Sequence, residues 1–366
     1  MDSNKKIRSY GLFSTVVCTI IGVGIFSYPR ELAENVNNEG WIISILSGGI
    51  YMLVAHIIYK ICKLNDFKEF QELVKGNMGI VLGTLILMFY SAYMLILSST
   101  QMRNFVEVMK KHMFEKTPTE VLLLVTIITG AYIVRGGINN LVRFNEISFL
   151  IMFFPFIFIF IILLKNSDFT NMLPVFNQKP FNYIKSLLQS LLSFAGIEMI
   201  FLLLPLAQNK ISARKSILKA VGFTTIFYTL INIFCLGILS KEQTKRVLWP
   251  TITMVTSIDF PGLFVERWEG VIMILWILFY FTTFINLYYF SCYLISDIFK
   301  LKDIKLSILI TIPFIYIIAM FPESVYTLNT FIRRILRILI CISMLLFPLL
   351  IYIVTNIKIR RKERNK

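Results

Sequence analysis

Long apolar stretches alternate with short polar ones along the whole chain, on a length scale that matches a bilayer. A membrane core needs about 20 apolar helical residues. Ten candidate spans follow in order: 9–36, 40–62, 79–113, 119–134, 138–164, 183–207, 213–239, 269–299, 306–321 and 335–357. Between the second and third, Lys68, Glu69, Glu72 and Lys75 are interleaved with Phe67, Phe70 and Leu73, which predicts a short helix lying on the membrane surface. The third stretch stays helix-compatible beyond what a bilayer requires, so it is expected to tilt or project. Polar connections at 165–180 and 240–268 complete the pattern, and Trp41 stands where an interfacial anchor is expected.

Two of these stretches are interrupted. Gly22 and Gly24 bracket Val23 in the first, each lowering helix propensity by roughly 1 kcal/mol relative to Ala. The sixth carries Ser193-Phe194-Ala195-Gly196-Ile197-Glu198 at its middle. Paired glycines also serve simple close packing of helices in membranes. An interruption at the same point of each half favours a different explanation, because backbone freed at mid-membrane must find protein, water or ligand as a partner. Five spans followed by five, each set opening on a broken helix, is the pattern of an inverted-repeat transporter with its site at the midplane. The chain is thus expected to be one all-α membrane domain over 1–366. Its first repeat covers about 9–164 and its second about 183–357, and a basic tail occupies 358–366.

Composition agrees: 57% of the 366 residues are hydrophobic, and mean hydropathy is +0.73. The formal net charge of +16 suggests orientation and contact with lipid headgroups rather than nucleic acid, since the basic residues lie between apolar stretches. With both termini and the even-to-odd loops on the cytoplasmic side, that side holds the larger share of the 37 Lys and Arg. The residues before the first stretch lack a cleavable-signal pattern. Five scattered cysteines and two histidines, His56 and His112, offer no metal-ligand spacing. Neither a cofactor, a metal nor an enzymatic activity is expected.

The breaks suggest what could bind. A half-helix starting near Ile25 directs free N–H groups and a positive dipole end at the cavity, which suits a carboxylate. Carbonyls ending the preceding half-helices, around 20–22 and 192–194, suit an ammonium group. The predicted ligand is a zwitterion, most simply an amino acid, held by Gly22, Val23, Gly24, Ile25, Ser193, Phe194, Ala195, Gly196 and Glu198. A carboxylate at a helix centre costs about 2.5 to 3.5 kcal/mol on insertion scales, so Glu198 should face the interior. It could carry a proton or cap the second half-helix. Tyr93, Ser98 and Gln101 on the third span, and Asn286 on the eighth, could add polar contacts or satisfy neighbouring helices. Arg143 and Glu146 are spaced to pair on one helical face. Arg333, Arg334 and Arg337 could snorkel to headgroups or dock an acidic partner.

Several motifs together resemble one family: Gly22-Val23-Gly24 followed by Pro29; Arg135-Gly136-Gly137-Ile138 with Arg143 and Glu146; Leu173-Pro174-Val175; Phe194 to Glu198; and Leu248-Trp249-Pro250-Thr251 with Pro261-Gly262. Over nearly its whole length the chain resembles the B subunits of GerA-type spore germinant receptors. These are the spore germination permeases of the amino acid–polyamine–organocation superfamily. Two positions depart from the pattern: Val23 stands where relatives often carry Thr or Ser, and Asn139 where an acidic residue is common. The resemblance implies a LeuT-like fold with helices 1 and 6 broken. It also implies a place in the spore inner membrane, and a nutrient-sensing role alongside A-type and C-type receptor subunits. The alternative is a secondary amino-acid transporter with Glu198 as proton carrier.

Overall fold

The computed structural model describes residues 6–22, 24–257, 268–323 and 327–364. Val23, Pro261 and Gly262 lie outside the described residues. Among these residues the chain is helical throughout, and its β-type pairing is a single bridge between Ile7 and Ala207. The helices are α1 (Ser9–Ile20), α2 (Gly24–Val36), α3 (Gly40–Leu64), α4 (Phe70–Met78), α5 (Ile80–His112), α6 (Thr119–Arg135) and α7 (Gly137–Asn166). They continue as α8 (Pro180–Gln189), α9 (Ile200–Leu206), α10 (Lys210–Arg246), α11 (Pro250–Thr256), α12 (Trp268–Ile298), α13 (Ile304–Met320), α14 (Arg333–Cys341) and α15 (Phe347–Arg364).

Local chemistry explains many of the ends. Pro180 and Pro250 open α8 and α11, where a missing N–H costs nothing. Asn209 caps α10 by accepting from the Ile211 and Ser212 amides, and Asp303 caps α13 through Lys305. A short helix, α4, stands where the surface helix is expected, and its Phe70, Leu73 and Val74 are buried. The connection at 240–268 differs from the simple loop expected. The helix continues past Leu239 across a non-helical Ser240 (φ 58°) to Arg246, and α11 then tucks against α2 and α10. Arg143 and Glu146 form no ion pair; the Glu146 carboxylate lies over Gly11 of α1 instead.

Among the described residues, six helical runs can cross a membrane by length and composition, and seven if the pair 180–194 and 197–206, bent by 51°, counts as one span. Two shorter apolar helices, Ser9–Ile20 and Ile304–Met320, accompany them. The distribution of side chains is that of a membrane protein. Ile128, Tyr132, Phe154, Ile161, Leu309 and Ile317 point outward, while Asn145, Thr224, Asn286, Ser291 and Thr311 are buried. Polar groups inside such a bundle are hydrogen-bonded to one another, as Asn145 and Asn286 are across α7 and α12.

At the centre, α1 packs on α7, α10 and α12, while α2 packs on α8, α10 and α11. The two interrupted stretches are therefore packed chiefly against the long helices α3, α7, α10 and α12.

Candidate functional site

The first apolar stretch is two helices, α1 and α2, joined through residues 21–23. In the sixth, α8 gives way to short 3₁₀ turns at Leu192–Phe194 and Ile197–Met199 before α9 begins. These interruptions touch each other. A Cβ on Gly24 would stand 3.3 Å from Cα of Ser193, so the two backbones are in direct contact. Gly196 has φ +100°, a left-handed conformation suited to glycine, and a Cβ there would come within 2.8 Å of Thr19 Cγ2.

Backbone groups freed by the breaks must be satisfied, and long-range side chains do much of this. The Thr283 hydroxyl donates to the Cys18 carbonyl at 2.9 Å, and the Thr251 hydroxyl donates at 2.8 Å to the Ile25 carbonyl, which Pro29 inside α2 leaves without a helical donor. The Tyr228 hydroxyl lies 3.2 Å from the Ile20 carbonyl and 2.8 Å from the Ser193 carbonyl. A phenol has one proton, so it can donate to only one of them at a time. One hydroxyl on α10 thus serves both breaks. Phe194 is sandwiched by aromatic rings, stacked on Tyr51 with centroids 4.3 Å apart and edge-on to Tyr228 at 5.4 Å.

Glu198 is fully buried and accepts three hydrogen bonds. The Gly196 amide donates to Oε2 at 2.9 Å; the Ser343 hydroxyl at 2.8 Å and the Tyr93 hydroxyl at 3.2 Å donate to Oε1. Ser343 lies in a π-helical turn, Ile342–Leu346, and its carbonyl accepts from Tyr90 at 2.6 Å. The carboxylate consequently ties the second break to α5 and to the last helical run. Widened turns of this type recur at functional sites.

The remaining candidates are spread more widely. Ile25, Ser193 and Ala195 are buried within the breaks, and Gly22 faces Thr283 so closely that a Cβ would stand 2.5 Å from its hydroxyl. Tyr93 joins the Glu198 cluster. The Ser98 hydroxyl instead bonds the Leu95 carbonyl of its own helix, and Asn286 bonds Asn145. Gln101 is half-buried further along α5. Tyr51, Tyr228, Thr251, Thr283 and Ser343 belong to the site by geometry, but no local pattern marks them. Outward of α2, Arg333 pairs with Glu31 rather than snorkelling, and donates to Ser27 at 3.0 Å. With Trp249 they line a small polar cavity of about 80 Å³.

A family model described as "Spore germination protein" matches residues 6–328. The chain belongs to the spore germination protein family. Relatives of this family include spore germination protein A2 of Bacillus subtilis, 28% identical over 359 residues and 97% of each chain. Spore germination protein GerLB of Bacillus cereus is 26% identical over 371 residues, 99% of this chain and 97% of that one. Among solved structures, a Na⁺-coupled sialic acid symporter in a substrate-bound outward-open state superposes with a TM-score of 0.64 at 12% identity. It covers 93% of this chain and 79% of its own. Mhp1, a nucleobase-cation-symport-1 family transporter in a closed conformation, gives 0.65 at 11% identity, covering 93% and 77%. At such identities the likeness shows the fold alone. Family, fold and apolar helices together define an integral membrane protein of germinant-receptor or permease type.

Proposed function

We propose that this chain is the ligand-sensing membrane subunit of a spore germinant receptor, with a small zwitterion, most simply an amino acid, bound where the two breaks meet. The observation that carries this is the shared hydroxyl of Tyr228, which gives the Ile20 and Ser193 carbonyls one proton between them. An ammonium group brings three donors to two carbonyls that otherwise have the Tyr228 hydroxyl between them and the Gly22 amide on Ile20 alone. The N-terminal end of α2 faces the same region, and its positive dipole end suits the ligand's carboxylate. The architecture is ten spans in two inverted repeats of five, with α1–α2 and α8–α9 as the broken spans. Both chain ends lie on the cytoplasmic side of the spore inner membrane.

Signalling follows from how the site is tied to its surroundings. A ligand that closes the breaks on itself shifts the segment holding Gly196, and Glu198 carries that shift to Tyr93 on α5 and Ser343 in the last helical run. The energy available to A-type and C-type partner subunits cannot exceed the ligand's differential affinity for the two arrangements. The alternative, proton-coupled amino-acid transport through Glu198, draws support from the symporter fold and from the complete burial of that carboxyl group.

The test is thermal stability of the purified protein across amino acids, nucleosides, sugars and salts, with Gly24→Leu as control. A ligand at roughly 100 times its dissociation constant stabilises the folded state by about 2.7 kcal/mol. A shift with one zwitterion that vanishes in Gly24→Leu supports the site. If no zwitterion stabilises the chain, either alone or assembled with partner subunits, the proposal fails. Uptake of that ligand into proteoliposomes by this chain alone would favour the transporter.

A further inference from the structure

Away from the breaks, the start of α4, the start of α7, the end of α12 and the turn into α13 line an open cavity of about 630 Å³. The sequence topology assigns its walls to the face that holds both chain ends. Glu69 and Gln71 from the start of α4 meet Tyr293 of α12 there. Glu69 Oε2 accepts from the Gln71 amide at 2.6 Å and from the Tyr293 hydroxyl at 2.9 Å. Both donors thus converge on one carboxylate oxygen. The second oxygen, Oε1, is buried and meets no protein donor, and the same holds for the carboxamide oxygen of Gln71, a residue only 7% exposed.

Two buried acceptors without donors, on side chains that are hydrogen-bonded to each other through their other atoms, are costly, about 1–3 kcal/mol each in a protein interior. Seven other buried polar atoms lack partners among the described residues, but all seven are hydroxyl or N–H groups rather than pure acceptors, and at the other end of α4 the polar groups are satisfied. There Asn77, Asn65 and Thr355 close a ring of mutual hydrogen bonds at 2.8 to 3.3 Å. The charges around the cavity narrow what could satisfy the acceptors. Asp297 is held by Lys75 at 3.1 Å and Asp303 by Lys305 at 3.3 Å; Lys300 and Lys302 also line the cavity but are exposed, and neither is within ion-pair distance of Glu69. Glu69 has no ion-pair partner among the described residues. One unneutralised negative charge, presented with oxygen ligands alone, calls for one positive charge. A divalent ion, which favours several carboxylates, fits poorly.

We propose that Glu69, Gln71 and Tyr293 form a second binding site, for one small monovalent cation of alkali-metal or ammonium type. The Glu69 and Gln71 oxygens supply the ligands. The rings of Tyr289 and Tyr293, 6.5 Å apart and nearly parallel, form a flank on which an ammonium ion gains further. The site is separate from the breaks, and because α4 packs on α5 and α9 it can bias the helices that carry Glu198 and its neighbours. The proposal does not depend on which ligand the breaks take.

The experiment uses the full-length protein in detergent at constant ionic strength, with N-methylglucamine chloride replaced stepwise by KCl, NaCl or NH₄Cl. A saturable rise in melting temperature is expected, about 5 °C at roughly 100 times the dissociation constant. A rise with K⁺ or Na⁺ assigns the site to an alkali ion, and one with NH₄⁺ alone to ammonium. Glu69→Gln should abolish the rise while Gly24→Leu retains it. Equal melting temperatures in all four salts, as expected if water alone satisfies these oxygens, overturn the proposal. So does a rise that survives Glu69→Gln, or one lost in Gly24→Leu. Should Glu69→Gln fail to fold, equilibrium binding of radioactive rubidium and of labelled methylammonium to the wild-type protein decides. About one site per chain supports the proposal, and no binding of either ion overturns it.

Discussion

Replacing Tyr228 with Phe removes one hydroxyl and tests how the two breaks are held. The Ser193 carbonyl lies 2.8 Å from that hydroxyl, whereas the Ile20 carbonyl also receives the Gly22 amide at 3.0 Å. The loss therefore falls on Ser193, which is buried. Leaving one buried acceptor unsatisfied costs about 1–3 kcal/mol. At about 2 °C for each kcal/mol in a large chain, the melting temperature should fall by roughly 2–6 °C without ligand. The ligand effect should go the other way. With no phenol to displace, a bound ammonium group gains the Ser193 carbonyl outright, so the ligand-induced shift should match or exceed that of wild type. Scanning fluorimetry of both proteins, with and without the stabilising amino acid, measures both quantities. Unchanged stability without ligand would show that the hydroxyl holds neither break. A lowered melting temperature combined with complete loss of the ligand shift would mean that the phenol itself contacts the ligand, and the carbonyl account would be wrong.

Three further outcomes are expected. Gly196→Ala places a Cβ at φ +100° and 2.8 Å from Thr19, so it should destabilise by about 2–5 kcal/mol, read as a lower melting temperature. Glu198→Gln sets an amide among three donors, of which the Gly196 N–H cannot turn away; nutrient response should fall or change its pH dependence. A response identical to wild type at every pH would reduce Glu198 to a helix cap. Arg333→Leu leaves the Glu31 carboxylate without its guanidinium, and a double-mutant cycle with Glu31→Gln should show a coupling of about 1 kcal/mol or more. Additive effects would mean that the pair does not hold α2 to the last helical run.

Much of the helical order was legible because apolar length and breaker residues are local signals. The break at Gly22 to Gly24, the interruption at Ser193 to Glu198 and the short helix starting at Phe70 could all be read from a few adjacent positions. So could the inward placement of Glu198, because an acid in an apolar stretch has few other places to go. Its partners could not. Ser343, Tyr228 and Thr283 lie 145, 35 and 265 residues from the groups they bond, inside ordinary-looking apolar helices. Ser98 shows the converse. Helical spacing put it beside Tyr93 as a candidate, yet a serine in a helix can bond the carbonyl of the preceding turn, and this one does. Pro250 was read as part of a loop motif, although proline at a first helical position also signals the short helix that follows.

Just before α1, the Ile7 amide donates to the Leu206 carbonyl at 2.8 Å, and the Gln208 amide donates to the Ile7 carbonyl at 2.9 Å. This places a two-bond clasp between the starting end of α1 and the finishing end of α9, remote from the point where the breaks meet. Each broken segment is thereby pinned at two places, once by contact at its glycine and once by this clasp. Neither can swing without levering the other. The two interrupted stretches are thus joined at both ends of α1, and a displacement of either one strains its contacts with the other.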